Sequence, residues 1–269
     1  MSKFNRFYNK IKNSDLRLEA FGDSEAGHRR ATNEDAFLIG EIDCSHQLMA
    51  VADAFTARGG EEASRLAVSE LRDLMLMPSG WNIRQRLGAA FEKISLDIDR
   101  HFRKIHHTPP VGTTLSAVYV DGDTAYLAHV GNSRIYLVRE GKVHLLTKDD
   151  TFAQLLESSG AEPGASSKKT LVQALGVSSE LAPSLSEILL LPDDYLLLCS
   201  DGFSNTADGA EIIKIIEENA SVEVAVERLI EAADARDGTD NITVVLARVC
   251  RAKTWMDFPG LFTAPRVHS

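Results

Sequence analysis

Several acidic side chains in this sequence stand at the ends of apolar runs. Asp53 closes Met49-Ala50-Val51-Ala52, and Asp201 closes Leu196-Leu197-Leu198-Cys199-Ser200 just before Gly202. Asp240 comes shortly before Ile242-Thr243-Val244-Val245-Leu246, and Glu34 and Asp35 precede Ala36-Phe37-Leu38-Ile39. Taken singly, each reads as a turn residue or a helix cap. Taken together they place carboxylates at four strand ends, which can converge on one point. Crowded carboxylates raise one another's pKa, and a hard divalent cation relieves that conflict. An all-oxygen donor set selects Mg²⁺ or Mn²⁺ over zinc, which prefers histidine and cysteine. Arg30, four residues before Glu34, could present its planar fork to a phosphate near such ions; alone, Arg29-Arg30 reads as a solvated pair.

Such convergence needs strands that end together. Alternating and apolar runs predict strands over 16–21, 36–42 and 47–53. Helices are predicted over 61–77 and 83–105, separated by the breaker Met77-Pro78-Ser79-Gly80. An antiparallel meander follows over 113–120, 124–130, 134–138 and 142–146, with turns at Asp121-Gly122-Asp123, Gly131-Asn132 and Glu140-Gly141. The polar stretch 147–169 reads as helix and loop. A last strand pair, 195–200 and 242–249, brackets helices near 210–218 and 222–235. Strands in hairpins with helices segregated in pairs predict an α+β layered domain of two packed sheets covered by helices. Phe4, Phe7, Tyr8 and Ile11 fall at helical spacing among basic residues, so residues 1–15 read as a helical arm, packed on its own domain or docking to a surface.

The 269 residues carry 39 acidic and 29 basic side chains, a formal net charge of −10, which disfavours a phosphate-backbone binder and so nucleic acid. Three scattered cysteines, Cys44, Cys199 and Cys250, make neither a disulfide framework nor a zinc ribbon. No apolar stretch is long enough to cross a bilayer, and the basic N-terminus lacks the apolar core of a secretory signal. A reducing, cytoplasmic setting is the expectation.

Read together, the motifs resemble the metal-dependent type-2C (PPM) serine/threonine protein phosphatases, in their compact bacterial form. The matching pieces begin with Gly27-His28-Arg29-Arg30-Ala31-Thr32-Asn33-Glu34-Asp35-Ala36, Val51-Ala52-Asp53, Gly60-Glu61-Glu62-Ala63-Ser64 and Gly112-Thr113-Thr114-Leu115. They continue with Val130-Gly131-Asn132-Ser133-Arg134-Ile135-Tyr136, Leu146-Thr147-Lys148-Asp149, Ala174-Leu175-Gly176, Cys199-Ser200-Asp201-Gly202 and Asp240-Asn241-Ile242-Thr243-Val244. The resemblance covers residues 16–250 and implies a four-layer α-β-β-α sandwich, two antiparallel sheets flanked by helix pairs. It implies a flap at about 147–175 and a tail over 251–269. It also implies two Mn²⁺ or Mg²⁺ ions, with Asp53 bridging both, Asp201 and Asp240 holding one, and Glu34 and Asp35 supporting the site. By the same resemblance the Ala54 carbonyl takes the place of a glycine carbonyl that binds metal, and Arg30 grips the substrate phosphate. The implied reaction is hydrolysis of phosphoserine and phosphothreonine in proteins by a water or hydroxide between the ions, opposing a serine/threonine kinase.

The sequence also departs from that pattern. Alanine and phenylalanine occupy the loop Asp53-Ala54-Phe55-Thr56-Ala57-Arg58-Gly59-Gly60, which is one residue shorter than usual. Should the backbone at Ala54 require positive φ, its side chain would cost about 1–2 kcal/mol. Asn132 replaces an aspartate that supports a third metal, so a third site is expected to be weak. Asp150 stands where a histidine is frequent. The altered loop leaves a second reading, a catalytically impaired binding or regulatory module, and a third, a phosphatase of small phosphorylated metabolites.

Overall fold

The computed structural model describes residues 7–10, 16–43, 46–55, 59–104, 110–164, 167, 170–178 and 180–251. Its strands are β1 (Phe7–Lys10), β2 (Leu16–Glu25), β3 (Asp35–Asp43), β4 (His46–Asp53), β5 (Leu115–Asp121) and β6 (Thr124–Val130). They continue as β7 (Arg134–Arg139), β8 (Lys142–Leu145), β9 (Ser184–Leu189), β10 (Tyr195–Cys199) and β11 (Ile242–Arg251). The helices are α1 (Gly60–Leu76), α2 (Ile83–Lys104), α3 (Phe152–Ser158), α4 (Asp201–Ser204), α5 (Gly209–Glu218) and α6 (Val222–Arg236).

Two sheets result, one ordered β1-β2-β11-β10-β7-β8 and the other β3-β4-β5-β6-β9, and every pairing is antiparallel. Period-two side-chain alternation gives each central strand two apolar faces. Met49 and Val51 of β4 and Val245 and Ala247 of β11 meet in the core between the sheets. Leu48, Ala50 and Ala52 instead pack under α1 and α2, beside Leu71, Phe91 and Ile94. Val244 and Leu246 pack under α5 and α6, beside Ile212, Val226 and Leu229. This is the layered α-β-β-α arrangement expected from the sequence.

Three local expectations change. Phe7–Lys10 is an edge strand, not a helix, and pairs with β2 in the register Phe7↔Ala20 to Lys10↔Arg17. Pairing there satisfies backbone groups that so short a helix would leave largely to water. The rest of the proposed arm, residues 1–6 and 11–15, and the tail after 251 lie outside the described residues. Strand β9 was not anticipated: as an edge strand it is mostly exposed, so its residues carry little apolar signal. Finally, β5 starts at Leu115, because Thr113 leaves the ladder to bridge Ala54 and Leu175 separately. Among the described residues, no helix is long and apolar enough to cross a membrane.

Candidate active site

The acids meet because two antiparallel pairs end at the same edge of the sandwich. Asp35 opens β3 and Asp53 closes β4, and the two are direct cross-strand partners. In the other sheet Asp201 follows β10 and Asp240 precedes β11, whose paired ends are Cys199 and Val244. Gly202 lets these chains touch: a Cβ there would lie 2.1 Å from the Asn241 carbonyl oxygen.

A chain of hydroxyls joins the sheets. Thr243 Oγ1 donates to Asp35 Oδ2 at 2.6 Å, so it must accept from Ser24 Oγ, also at 2.6 Å. Ser24 Oγ in turn accepts from Asn33 Nδ2 at 2.8 Å, and Asn33 Oδ1 receives the Asp35 backbone N–H at 3.0 Å. Asn241 clamps the loop before β3. Its Nδ2 donates to the carbonyls of Ala26 and Thr32 at 2.9 and 3.0 Å, and its Oδ1 accepts from Glu34 N at 2.9 Å. On the β4 side, Asp53 N donates to Thr114 Oγ1 at 3.0 Å, and Thr114 Oγ1 lies 2.7 Å from Ser133 Oγ.

Electrostatics follow from this crowding. Burial, then the nearby charges of Asp35, Asp201 and Asp240, hold the Asp53 carboxyl well above the usual carboxylate range. Burial raises Asp35 to about 7, opposed by the nearby Thr243 and Ser200 hydroxyls and reinforced by Asp201 and Asp240. Glu34 is also raised, by burial first, with Arg30 opposing the shift and Asp240 adding to it. Asp35 Oδ1 is buried with no hydrogen-bond partner.

Arg30 Nη2 pairs with Asp240 Oδ1 at 2.7 Å, and its Nε donates to the Thr239 carbonyl at 3.1 Å. Asn132 Nδ2 donates to Asp201 Oδ2 at 2.9 Å. Among the described residues, no three histidine, cysteine, aspartate or glutamate side chains are already drawn together as a ready-made metal site. Asp240 and Asp201 each contact a side-chain partner, Arg30 and Asn132 respectively. The donor set still fits a hard cation. It is all oxygen, it is crowded enough to disfavour its own ionisation, and it contains an orphaned buried oxygen at Asp35.

All of the acids expected at the site except Asp35 line one cleft of about 990 Å³, together with Arg30, Ala54 and Asn132. Asp35 sits behind Asp53, only 7% exposed. Glu34 packs over the start of α1, where a Cβ on Gly60 would lie 2.8 Å from Glu34 Cδ. Ala54 is buried and bridges Thr113. Among the described residues, the non-glycine ones with positive φ are Glu140 and Asp193, so the strain considered for Ala54 does not arise. Thr56, Ala57 and Arg58 lie outside the described residues. Asp150 acts as a staple, accepting Gly131 N on Oδ2 at 2.9 Å and donating its own N–H to the Gly131 carbonyl at 2.7 Å. Cys199 is fully buried, and burial pushes its thiol up, which suits a packing residue better than a nucleophile. Sequence reasoning missed the parts played by Ser24, Asn33, Thr114, Asn241 and Thr243, although four of the five lie inside the motifs quoted above.

Residues 19–159 match the profile of the family Protein phosphatase 2C. The serine/threonine protein phosphatase PstP of Mycobacterium tuberculosis is 33% identical over 231 residues, which are 84% of this chain and 44% of PstP. The protein phosphatase PhpP of Streptococcus pneumoniae is 29% identical over 237 residues, 83% of this chain and 94% of PhpP. A crystal structure of the PstP catalytic domain in complex with two manganese ions matches with a TM-score of 0.77 at 33% identity, covering 87% of this chain and 99% of that one. The chain belongs to the protein phosphatase 2C family. It spans 44% of the length of its PstP relative and nearly all of PhpP.

Proposed function

We propose that this chain is a metal-dependent phosphatase that hydrolyses phosphoserine and phosphothreonine in proteins. The observation that carries the reading is the meeting of Asp53 from one sheet with Asp201 and Asp240 from the other in a cleft that also holds Arg30, with Asp35 paired across the strands to Asp53. The manganese complex of the similar PstP domain supports two Mn²⁺ or Mg²⁺ ions as cofactors. Asp53, Asp201 and Asp240 would hold them, with the Ala54 carbonyl and the Glu34 and Asp35 carboxylates in support. When bound, such ions activate water at neutral pH and offset phosphoryl charge.

The protein's own groups do the rest. Arg30 leaves Nη1 without a protein partner among the described residues, a donor for a phosphoryl oxygen at the cleft wall. Asn241 and the Asn33–Ser24–Thr243 chain hold the loop and the Asp35 carboxyl in place, so that little reorganises during reaction. Phe55 offers no proton, so water protonates the departing serine or threonine oxygen. Asn132 carries no charge, which keeps any third metal site weak.

The catalytic unit in this reading is residues 16–250, with the flap at about 147–175. Its substrates are phosphoproteins made by an opposing serine/threonine kinase, and its setting is cytoplasmic, in keeping with the free thiols of Cys199 and Cys250. The test is turnover of p-nitrophenyl phosphate and a phosphothreonine peptide with Mn²⁺, with Mg²⁺ and with chelator. Activity is expected to require metal and to fall by about 10³-fold or more in Asp201→Asn. Undiminished turnover in that variant refutes the metal assignment. Metal binding without any turnover favours the binding-module alternative.

A further inference from the structure

The cleft is lined by two unlike sets of side chains. Arg30, Glu34, Asp53, Asp201 and Asp240 carry charge; Phe55, Leu171, Val172, Ala174 and Val177 are apolar, with Gln173, Ser178 and Glu180 among them. Phe55, Val172 and Val177 are 47%, 49% and 41% exposed, large apolar side chains left open to water beside the reacting centre. Single exposed apolar residues are ordinary, whereas several sharing one functional cleft mark a contact surface.

This apolar side is built into the frame that holds the acids. A Cβ on Gly112 would lie 2.7 Å from Phe55 Cζ and 3.0 Å from Val177 Cγ1, so both side chains close over a position that has none. Phe55 N donates to the Gly112 carbonyl at 3.4 Å. Thr113 and Leu175 exchange backbone hydrogen bonds at 3.2 and 3.0 Å, and Thr113 also bridges Ala54. Val172 N donates to the Asp150 carbonyl at 2.8 Å. The wall is therefore fixed in advance of any ligand, and its position is set by the strand end that carries Asp53.

We propose that this wall receives an apolar side chain immediately next to the phosphorylated residue, making the enzyme selective for phosphopeptides with such a neighbour. The inference rests on the phosphatase reading. A phosphate held at Arg30 and the acids brings its flanking residues into the same cleft, because one extended residue spans only about 3.5 Å. Burying an apolar neighbour against Phe55, Val172 and Val177 removes both surfaces from water.

The experiment compares three phosphothreonine peptides that differ only at the flanking positions. One has leucine before the phosphothreonine, one has leucine after it, and one has the near-isosteric asparagine at both. With Mn²⁺, the better leucine peptide is expected to exceed the asparagine peptide about tenfold in kcat/KM. Val172→Thr/Val177→Thr keeps the shape of the wall and adds hydroxyls, and should bring that ratio below about threefold. Phe55→Gln is the second variant should the pair fail to fold. Equal rates on all three peptides, or a ratio untouched by the variants, overturn the proposal while leaving the phosphatase reading intact. Absence of turnover on every substrate refutes the phosphatase reading instead. Anisotropy of the same labelled peptides then decides on the wall: preference for leucine lost in the variant sustains it, and equal affinities overturn it.

Discussion

Strand β10 has an acid near each end, buried at Asp194 and partly exposed at Asp201, and the protein treats the two differently. Before its first residue, Asp194 is 1% exposed and fully matched: Arg139 Nε and Nη2 reach its two oxygens at 2.8 and 2.6 Å, and Leu191 N adds a bond at 2.7 Å. Just past its last residue, Asp201 joins Asp35, Asp53 and Asp240; there Asp240 pairs with the half-exposed Arg30 and Asp201 accepts from Asn132. At one end the sequence supplies a fork that neutralises the charge. At the other it gathers like charges and, among the described residues, leaves Asp35 Oδ1 with no hydrogen-bond partner. The end crowded with acids is the one that the proposed cations would occupy.

Paired substitutions at the two ends should break this contrast. Asp194→Asn leaves the partly exposed Arg139 beside a neutral amide and is expected to cost about 1–3 kcal/mol of stability, read by urea denaturation. Asp53→Asn removes one of the crowded charges and should instead stabilise the metal-free protein at pH 7, by about 1–3 kcal/mol, while abolishing metal-dependent turnover. Loss of stability in both variants would show that the active end is balanced like the other.

The second, smaller effect is a dependence on pH. Asp35 has a folded pKa of about 7, and Asp53 is raised too, whereas an unfolded chain ionises aspartate near 3.8. Between these values the folded state binds more protons than the unfolded one, so metal-free stability falls as pH rises from about 4 to 7. Metal requires the ionised carboxylates. Mn²⁺ affinity should therefore rise over the same interval by about one log unit per pH unit for each proton displaced. Calorimetry in buffers of different ionisation heat should detect protons released at pH 6 and fewer at pH 8; equal release at both would contradict the raised values.

The smallest effect concerns the loop that departs from the family pattern. Because Ala54 lies outside the positive-φ region, Ala54→Gly relieves nothing and should destabilise by about 0.5–1 kcal/mol without raising metal affinity. A clear gain in Mn²⁺ affinity would reveal strain that the backbone does not display.

The acids themselves were readable from sequence, since each terminates a run apolar enough to be a buried strand. So was the layered fold, because the central strands alternate or are buried on both faces. What could not be read was the wiring between sheets. Thr243 and Asp35 are 208 positions apart, and Ser24 and Thr243 are 219 apart. Only the stacking of the sheets makes them neighbours, and Thr243 in isolation looks like any β-branched strand residue. Phe7–Lys10 was misread because aromatic residues at helical spacing say nothing of a vacant edge on β2. Strand β9 escaped notice for the opposite reason, its pattern being diluted by exposure along an edge.

The seam between the sheets also makes the active centre a property of assembly. Asp35 and Asp53 arrive with the first half of the chain, and Asp201 and Asp240 with the second. The later half also supplies β10 and β11, which lie between β2 and β7 in their sheet. A nascent chain that has emerged only to residue 159 holds half the acids and a sheet missing its middle. Catalytic competence thus arrives late and all at once, when β10 and β11 fill the gap between β2 and β7.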